Sequence, residues 1–273
     1  MRWARTLVVG CAAALLMVGC LGASDDASDV VATRVPIALA GCTYIEFVTY
    51  VPTERAASFL PEAFRARDEP SSLTMVLLGG ADCANAVSGN ATGPSAFGWT
   101  SIVIDPPEDA VLQGEDVETY LYRVEHFVVD GAYRGAADAV GAERIQLASL
   151  RATVSPTAAT LDLTNATFEH HVTGVATVPS GVEGADAVRW REFGTVDAGY
   201  AILEATLVPG ASAGLRPGTA STGPGTAARS LLGESAMGLV SFGSAYEVRD
   251  GWMGVVALPA DARATTLHAT PKH

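Results

Sequence analysis

The chain has 273 residues, of which 49% are hydrophobic and 17% charged, so it is long enough to bury a core and too apolar to be disordered. Thirty acidic side chains oppose sixteen Arg and one Lys, Lys272, for a formal charge of −13. This balance argues against a nucleic-acid partner, a Walker-type phosphate loop and Schiff-base catalysis by a lysine inside the fold.

The first segment is typical of an export signal. A short basic region precedes the apolar run 7–18, which at about twelve residues is too short to span a bilayer as a helix. The run ends in the tetrapeptide 17–20 (MVGC), which resembles a lipobox, so Cys20 is predicted to carry a lipid after cleavage. The polar, acidic stretch 23–29 suits a tether. The alternative is an ordinary cleaved signal with an incidental Cys20.

These features predict an exported protein that is lipid-anchored on the extracytoplasmic face of the cell membrane. Without lipidation of Cys20 it would be periplasmic or secreted. No other stretch reaches eighteen uncharged apolar residues, so we expect no transmembrane helix. The acidic surface repels anionic lipid headgroups, which leaves the anchor as the main membrane contact.

Cys42 and Cys83 are the cysteines that remain outside the signal. Outside the cytoplasm, such a pair is most simply a disulfide, worth about 4 kcal/mol by the chain-entropy estimate. Two buried free thiols are the alternative. Asn90 and Asn165 begin glycosylation sequons, which matter only in a host that has the machinery.

The rest of the chain is predicted to be rich in β-strands. The first strand covers 43–51 (TYIEFVTYV), because β-branched and aromatic residues dominate it. Thr53 can cap a short helix that follows, and Pro61 ends that helix early. Two more short helices are predicted near 133–140 and 226–232. The other predicted strands are 73–78, 98–104, 119–129, 144–154, 160–177, 189–208 and 237–256, of which the longest must bend or contain hairpins.

The strands do not alternate regularly with helices, which argues against a parallel βαβ sheet. We predict a mainly β (α+β) fold, a large antiparallel β-barrel with a few short peripheral helices. It would form one domain over 42–258, after a signal peptide at 1–19 and a tether at 20–41, and before a tail at 259–273. The Gly/Ser/Pro-rich segment 210–225 is predicted to be a mobile loop.

One short motif has the pattern of a catalytic site. Segment 210–214 (GASAG) fits the G-x-S-x-G nucleophile elbow, and Asp250 and His268 follow Ser212 in the chain order that hydrolases use. The elbow needs a tight turn between a strand and a helix, and no helix follows here. Coincidence in a low-complexity segment therefore explains the match better.

The histidines and tryptophans do not form a recognisable site. His170 and His171 are adjacent on a predicted strand, so they point to opposite faces and cannot chelate one metal together. His126 stands alone on its strand, as structural histidines do. We expect no metal and no cofactor. The tryptophans of the predicted strands are core candidates that could also line a cavity in a wide barrel: Trp99, Trp190 and Trp252.

Several segments, in order, resemble the acetoacetate decarboxylase superfamily. Segment 44–64 (YIEFVTYVPTERAASFLPEAF) is similar to the family's strand, short helix and Leu-Pro-Glu turn. Segment 120–150 resembles its strand, helix, aromatic-Gly-x-Pro-Lys-Lys segment and next strand. The match is completed by the late Gly-rich segment, helix 226–232 and strand 238–248. Together these segments cover most of 42–258. The resemblance implies a large antiparallel β-barrel or cone with peripheral helices.

The family's catalytic residues are not retained. Where the Schiff-base lysine would stand, the sequence reads 140–144 (VGAER): the Gly is kept, and the Pro and both Lys are absent. Arg144 cannot form an imine, because its guanidinium is delocalised and always protonated. The family's catalytic acid should fall near Trp99, where no carboxylate appears before Asp105. Decarboxylation by the family's mechanism is therefore not supported, and we assign no catalytic residue.

We expect the barrel to bind a small, partly apolar molecule without catalysis, since binding needs only shape and a few polar groups. Glu143, Arg144 and Trp99 are the candidate ligand-binding residues. An inward Arg144 would favour a ligand with a carboxylate, while a surface salt bridge is the plain alternative. The rival hypotheses are an exported hydrolase or lyase with an unrecognised site, and a surface adaptor that docks another protein. The sequence leaves the oligomeric state open.

Overall fold

The computed structural model describes residues 31–69, 71–88, 90–109, 112–114, 116–129, 131–175, 187–196, 199–208, 210 and 212–257. The signal segment, Cys20 and the C-terminal tail lie outside these residues. Within them, no helix is long and apolar enough to cross a membrane.

Strands dominate the described chain, and three short helices lie between them. The helices are α1 (Thr53–Ala57), α2 (Ala132–Ala139) and α3 (Ala227–Leu232). The strands are β1 (Val31–Pro52), β2 (Leu73–Ser88), β3 (Ala91–Val103), β4 (Thr119–Val128), β5 (Ile145–Gln146), β6 (Ser149–Val154), β7 (Ala158–Thr164), β8 (Glu169–Val175), β9 (Val188–Val196), β10 (Gly199–Val208), β11 (Ser212–Ser221) and β12 (Ser235–Ala257).

The three helices and every predicted strand are confirmed in position, with changes at their ends. β1 begins at Val31, earlier than the predicted strand at 43. The predicted strand 189–208 is the hairpin of β9 and β10, and 160–177 is the pair β7 and β8. The α3 helix begins after Thr226, whose hydroxyl accepts a hydrogen bond from the Arg229 N–H as an N-cap does.

The prediction of a mobile loop at 210–225 is wrong, because most of it is strand β11. This strand pairs with the first half of β12 from Ser212 to Ser221. Its glycines serve close packing: a Cβ on Gly218 would lie 2.4 Å from a Val240 methyl, and one on Gly214 would lie 2.7 Å from the Phe242 ring. The glycine content of this segment therefore reflects contact between strands rather than freedom of the chain.

Seven strands close into a barrel. Their order is β1-β2-β3-β4-β9-β10-β12, and pairing of β12 with β1 closes the ring. All of these pairs are antiparallel except β4 with β9. Strands β11, β8, β7 and β6 continue from the first half of β12 as a side sheet. The predicted fold class, an antiparallel β-barrel with short helices, is confirmed.

The side sheet folds back onto the outside of the barrel. Gly80 of β2 and Gly98 of β3 are paired in register and leave space for side chains of the side sheet. A Cβ on Gly80 would lie 3.0 Å from both Leu150 and Leu161, and one on Gly98 would lie 2.6 Å from Leu163. We call this contact the apolar layer; its core includes Phe47, Leu78, Ile102, Phe127, Leu150, Leu161, Leu163, Val172 and Phe242.

The other face of the barrel strands surrounds the barrel interior, which has a core of its own. Leu77, Phe97, Leu203 and Met253 come from four different strands and belong to one buried cluster. Helix α2 adds Tyr133 to that cluster and packs against β1, β2 and β3.

The disulfide predicted between Cys42 and Cys83 is confirmed in the structure. The two residues are register partners on β1 and β2, and both are buried in the cluster of the barrel interior. The bond therefore ties two neighbouring barrel strands together on their inner face.

Candidate functional site in the barrel interior

Polar residues of the interior lie on one row that crosses the barrel wall. Glu46 on β1 is paired with Gly79 on β2, Gly79 with Trp99 on β3, and Trp99 with His126 on β4. Because directly paired residues project from the same face of a sheet, this register brings the four positions to the same inner surface. The row also explains why residues far apart in sequence meet.

Gly79 sets the geometry of this row. A Cβ at Gly79 would lie 2.7 Å from the Trp99 ring, so the absence of a side chain lets the indole lie across β2. From there Trp99 Nε1 donates a hydrogen bond to Glu46 Oε1 over 2.9 Å. The bond fixes one carboxylate oxygen of Glu46 and orients the indole against the interior.

Glu46 is a carboxyl group deep inside the protein that keeps part of its side chain accessible. Burial raises its pKa to about 7, and hydrogen bonds from Trp99 and Tyr44 only partly offset that effect. Glu46 is therefore close to half ionised at neutral pH.

A second carboxylate, Glu192 on β9, lies opposite. Two strands, β10 and β12, separate β9 from β1, yet the charge of Glu192 adds to the raised pKa of Glu46. The two groups therefore face each other through the interior. Glu192 accepts a hydrogen bond from Ser101 Oγ over 2.5 Å and forms a buried ion pair with Arg123. One arginine charge is thus already matched within the interior.

Polar groups near the α2 end of the interior are poorly hydrogen-bonded: Tyr133 interacts with the Arg123 side chain and His126 with the backbone of Glu143, but four of their buried atoms have no well-formed hydrogen bond. These atoms are Arg123 Nε, both ring nitrogens of His126 and the Tyr133 hydroxyl, and His126 and Tyr133 are 4% and 1% exposed. Burial holds the pKa of His126 well below its ordinary value, and the charges of Arg123 and Arg144 act in the same direction. Its imidazole is therefore neutral. Buried polar groups that lack a good hydrogen bond are costly, so their convergence indicates a place that a ligand or water fills.

Aromatic rings surround the Glu46 carboxylate. Tyr44 lies 5.6 Å from Trp99 and 5.4 Å from Tyr246, between ring centroids, and the two tyrosines are stacked. Phe97 extends this wall toward α2, where its ring stacks on Tyr133 at 4.0 Å. The site thus combines an acidic group with aromatic faces.

The inner face becomes more exposed toward the end where β1 finishes. Val48 and Met75 lie beyond Glu46 on the inner face and are only half-buried. Leu239 is the register partner of Val48, so it continues this face, and it is 41% exposed. Met237, two residues further on the same strand, is 84% exposed. An apolar rim therefore leads to the acidic, aromatic site.

The structure separates the candidate ligand-binding residues predicted from the sequence. Trp99 lies in the barrel interior beside Glu46. Glu143 and Arg144 are exposed, directly after α2, and Arg144 Nη2 forms an ion pair with Asp138 Oδ1 over 2.5 Å. Arg144 still acts on His126 through its charge, so it lies near the α2 end of the site. Ligand binding by these three residues stays a prediction.

The described residues give no support to the other motifs. Ser212 begins β11 opposite Ser244, so no turn between a strand and a helix holds it, and His268 lies outside the described residues. On β8, His170 is fully buried and His171 is exposed, which confirms that they face opposite ways. Nowhere in the described ranges do three metal-ligating side chains gather into a group that could hold an ion.

Sequence reasoning missed most of the site: Glu46, Ser101, Arg123, Tyr133, Glu192 and Tyr246. One signal was available for Glu46. Tyr44, Glu46 and Val48 share one face of a strand by alternation, and a carboxylate in the middle of an apolar strand requires a compensating environment. The partners on β4, β9 and α2 are brought in by strand pairing over long sequence distances, which the local pattern does not encode.

Comparison with solved structures gives the fold class: the barrel is that of acetoacetate decarboxylase-like proteins. An acetoacetate decarboxylase from Legionella pneumophila superposes with a TM-score of 0.54 at 11% identity, covering 82% of this chain and 87% of that one. An acetoacetate decarboxylase-like enzyme from Sphingomonas wittichii RW1 gives 0.53 at 12% identity, over 81% and 94%.

A third similar structure is the enduracididine biosynthesis enzyme MppR complexed with pyruvate, with a TM-score of 0.50 at 10% identity over 80% of this chain and 90% of that one. At these identities the similarity is one of fold. No family model matches the sequence, and no curated protein is similar to it.

Proposed function

We propose that this chain is an exported, lipid-anchored barrel protein that binds a small, partly apolar molecule in the barrel interior without chemical turnover. The observation that supports binding is the set of buried polar atoms on Arg123, His126 and Tyr133 that have no well-formed hydrogen bond, on the same inner surface as Glu46. A natural protein rarely leaves such groups without partners, and a bound molecule would supply them.

The absence of lysine supports a non-catalytic role. Lys272 is the only lysine of the sequence, and it stands next to the last residue, outside the predicted barrel domain. No amine of the barrel can therefore form an imine with a carbonyl substrate. The fold neighbours named above include enzymes, and binding inside the same kind of barrel does not need their nucleophile.

Native mass spectrometry of the chain, purified from an oxidising compartment, tests the binding proposal. We expect a complex heavier than the polypeptide, which releases a small molecule on denaturation. A Ser101→Trp variant would fill the interior and should return the bare mass, while Thr160→Ala, on the side sheet, should keep the complex. A complex that survives Ser101→Trp in a correctly folded variant would contradict binding in the interior.

Export and anchoring have a separate test. Cys20→Ala should move the protein from the membrane fraction to the soluble extracytoplasmic fraction, because the lipid contributes most of the membrane affinity. Cys11→Ala is the matched control within the same signal segment and should leave the protein in the membrane fraction. A Cys20→Ala variant that stays with the membrane would contradict the anchor.

A further inference from the structure

The charges of the interior are unevenly matched. Glu192 is paired with Arg123, whereas Glu46 has no ion-pair partner among the described residues; its side-chain contacts are the Trp99 indole N–H and the hydroxyl of Tyr44. Inside the barrel, one carboxylate is therefore left without a counter-charge. Such a group favours a ligand that brings a positive charge.

The walls around Glu46 suit the same kind of ligand. The ring of Tyr44 lies between those of Trp99 and Tyr246, at 5.6 Å and 5.4 Å between ring centroids. Aromatic faces attract cations through their ring quadrupoles, and the attraction grows when water is excluded. An anion at this position would be repelled by the same aromatic faces and by the Glu46 carboxylate.

The deep end of the site offers hydrogen bonds without adding positive charge. His126 is neutral, and its two ring nitrogens and the Tyr133 hydroxyl have no well-formed hydrogen bond, so between them these groups can accept from an ammonium group as well as donate. The guanidinium charge of Arg123 is cancelled by Glu192. At the other end, Val48, Met75 and Leu239 form an apolar rim.

We propose that the barrel interior selects a small organic cation, a primary or quaternary ammonium on an apolar body, with the charge held between Glu46 and the aromatic faces. This inference rests on the proposed binding function and specifies its ligand class. It differs from the carboxylate-bearing ligand that an inward Arg144 would favour, since the Arg144 guanidinium is already paired with Asp138.

Three probes of matched shape test the ligand class: 2-phenylethylammonium, 2-phenylethanol and 3-phenylpropanoate, titrated calorimetrically into the folded chain at a pH above 7. We expect the ammonium to bind at least tenfold more tightly than either of the others. Equal or tighter binding of the alcohol or the carboxylate would support binding in the barrel but contradict its selectivity for a cation. Binding of none of the three would contradict the binding function itself.

A matched pair of variants assigns the effect to Glu46. Glu46→Gln keeps the shape and removes the charge, so it should weaken ammonium binding about tenfold and change alcohol binding less than twofold. Glu108→Gln removes a carboxylate whose side chain is 83% exposed and should leave both affinities unchanged. Ammonium binding that is unchanged in Glu46→Gln, with the fold verified by near-ultraviolet circular dichroism, would overturn the proposal.

Discussion

The apolar layer and the barrel interior are the two faces of the same strands, and they differ in the side chains that they bury. Between the side sheet and the barrel, leucines and phenylalanines fill the space left by Gly80 and Gly98. Inside the barrel, carboxylates, an arginine and a histidine meet, and several polar atoms have no well-formed hydrogen bond. Under the proposed function, the first face serves stability and the second serves ligand binding.

Adjacent glycines on β2 show how local this difference is. Gly80 faces outward and receives leucine side chains, while Gly79 faces inward and receives the Trp99 indole. Alternation along the strand thus assigns one glycine to packing and the next to the site. If the two faces have these separate roles, changes in the layer should affect folding, and changes in the interior should affect binding and pH dependence.

The largest effect is expected in the apolar layer. Leu161 is fully buried there, so Leu161→Ala should lower the free energy of unfolding by about 3 kcal/mol through lost burial and a cavity. Denaturant unfolding measures the change. Thr160→Ala, at the neighbouring position on the same strand, should cost less than about 1 kcal/mol. A loss below 1 kcal/mol for Leu161→Ala would show that the layer is not a packed core.

Glu46 should make stability depend on pH in the opposite direction from an ordinary carboxylate. Its pKa is about 7 in the folded chain against 4.5 as a free group, so the folded state holds a proton between these values. The contribution of Glu46 to the free energy of unfolding is fully present below pH 4.5. It is lost as the pH rises through 7, by about 2 to 3 kcal/mol.

Unfolding of wild type and Glu46→Gln at several pH values isolates this contribution. The groups that act on Glu46 are Tyr44, Trp99 and Glu192, and the substitution leaves all three in place. As the pH rises from 4.5 to 8, the wild type should lose stability relative to the Glu46→Gln variant. A constant difference would mean that the interior does not perturb this carboxyl.

His170 gives the layer a pH dependence of the reverse sign. Burial lowers its pKa from 6.5 to about 4, so the unfolded chain binds a proton that the folded chain does not. The contribution of the neutral His170 to the free energy of unfolding is fully present above pH 6.5. It is lost, by about 2 to 3 kcal/mol, as the pH falls toward 4. His170→Gln, which keeps an acceptor for the Gly223 N–H, should remove this acid sensitivity. Unchanged acid unfolding would exclude His170 as its source.

The smallest effects are expected from the adjacent glycines. Gly80→Ala requires Leu150 and Leu161 to shift slightly and should cost about 1 kcal/mol of stability, with ligand affinity unchanged. Gly79→Ala displaces the Trp99 ring and its bond to Glu46, so it should change tryptophan fluorescence and weaken ligand binding severalfold. Equal effects of the two substitutions on binding would remove the distinction between the faces.

The fold could be predicted from the sequence to a large extent. Patterns of β-branched and aromatic residues located the strands, and the two cysteines indicated their disulfide. The helix ends were less well predicted: α1 ends at Ala57, before Pro61, and Thr53 does not cap it. The prediction of a mobile loop at 210–225 failed, because glycine is common both in flexible loops and in strands that approach each other closely. Only the facing residues, such as Val240 and Phe242, separate the two cases, and they lie elsewhere in the sequence.

The site was predictable only in part. Trp99 was recognised as a residue that could line a cavity, and Arg144 was placed near the site through the family resemblance. Glu192 and Arg123 could not be paired, because strands β4 and β9 meet in parallel across 59 intervening residues whose path the local sequence does not give. Their partnership arises from barrel closure, a property of the whole chain.

Indole N–H resonances give the most direct test of ligand binding inside the barrel. Trp99 lies in the interior, whereas Trp252 packs against the apolar layer with Arg34 over its ring at 4.5 Å. The protein is labelled with nitrogen-15 at tryptophan, and the Trp99→Phe variant assigns the Trp99 signal. We expect 2-phenylethylammonium to shift the Trp99 signal and to leave the Trp252 signal in place. A saturable shift of Trp252 with an unmoved Trp99 would contradict binding in the interior.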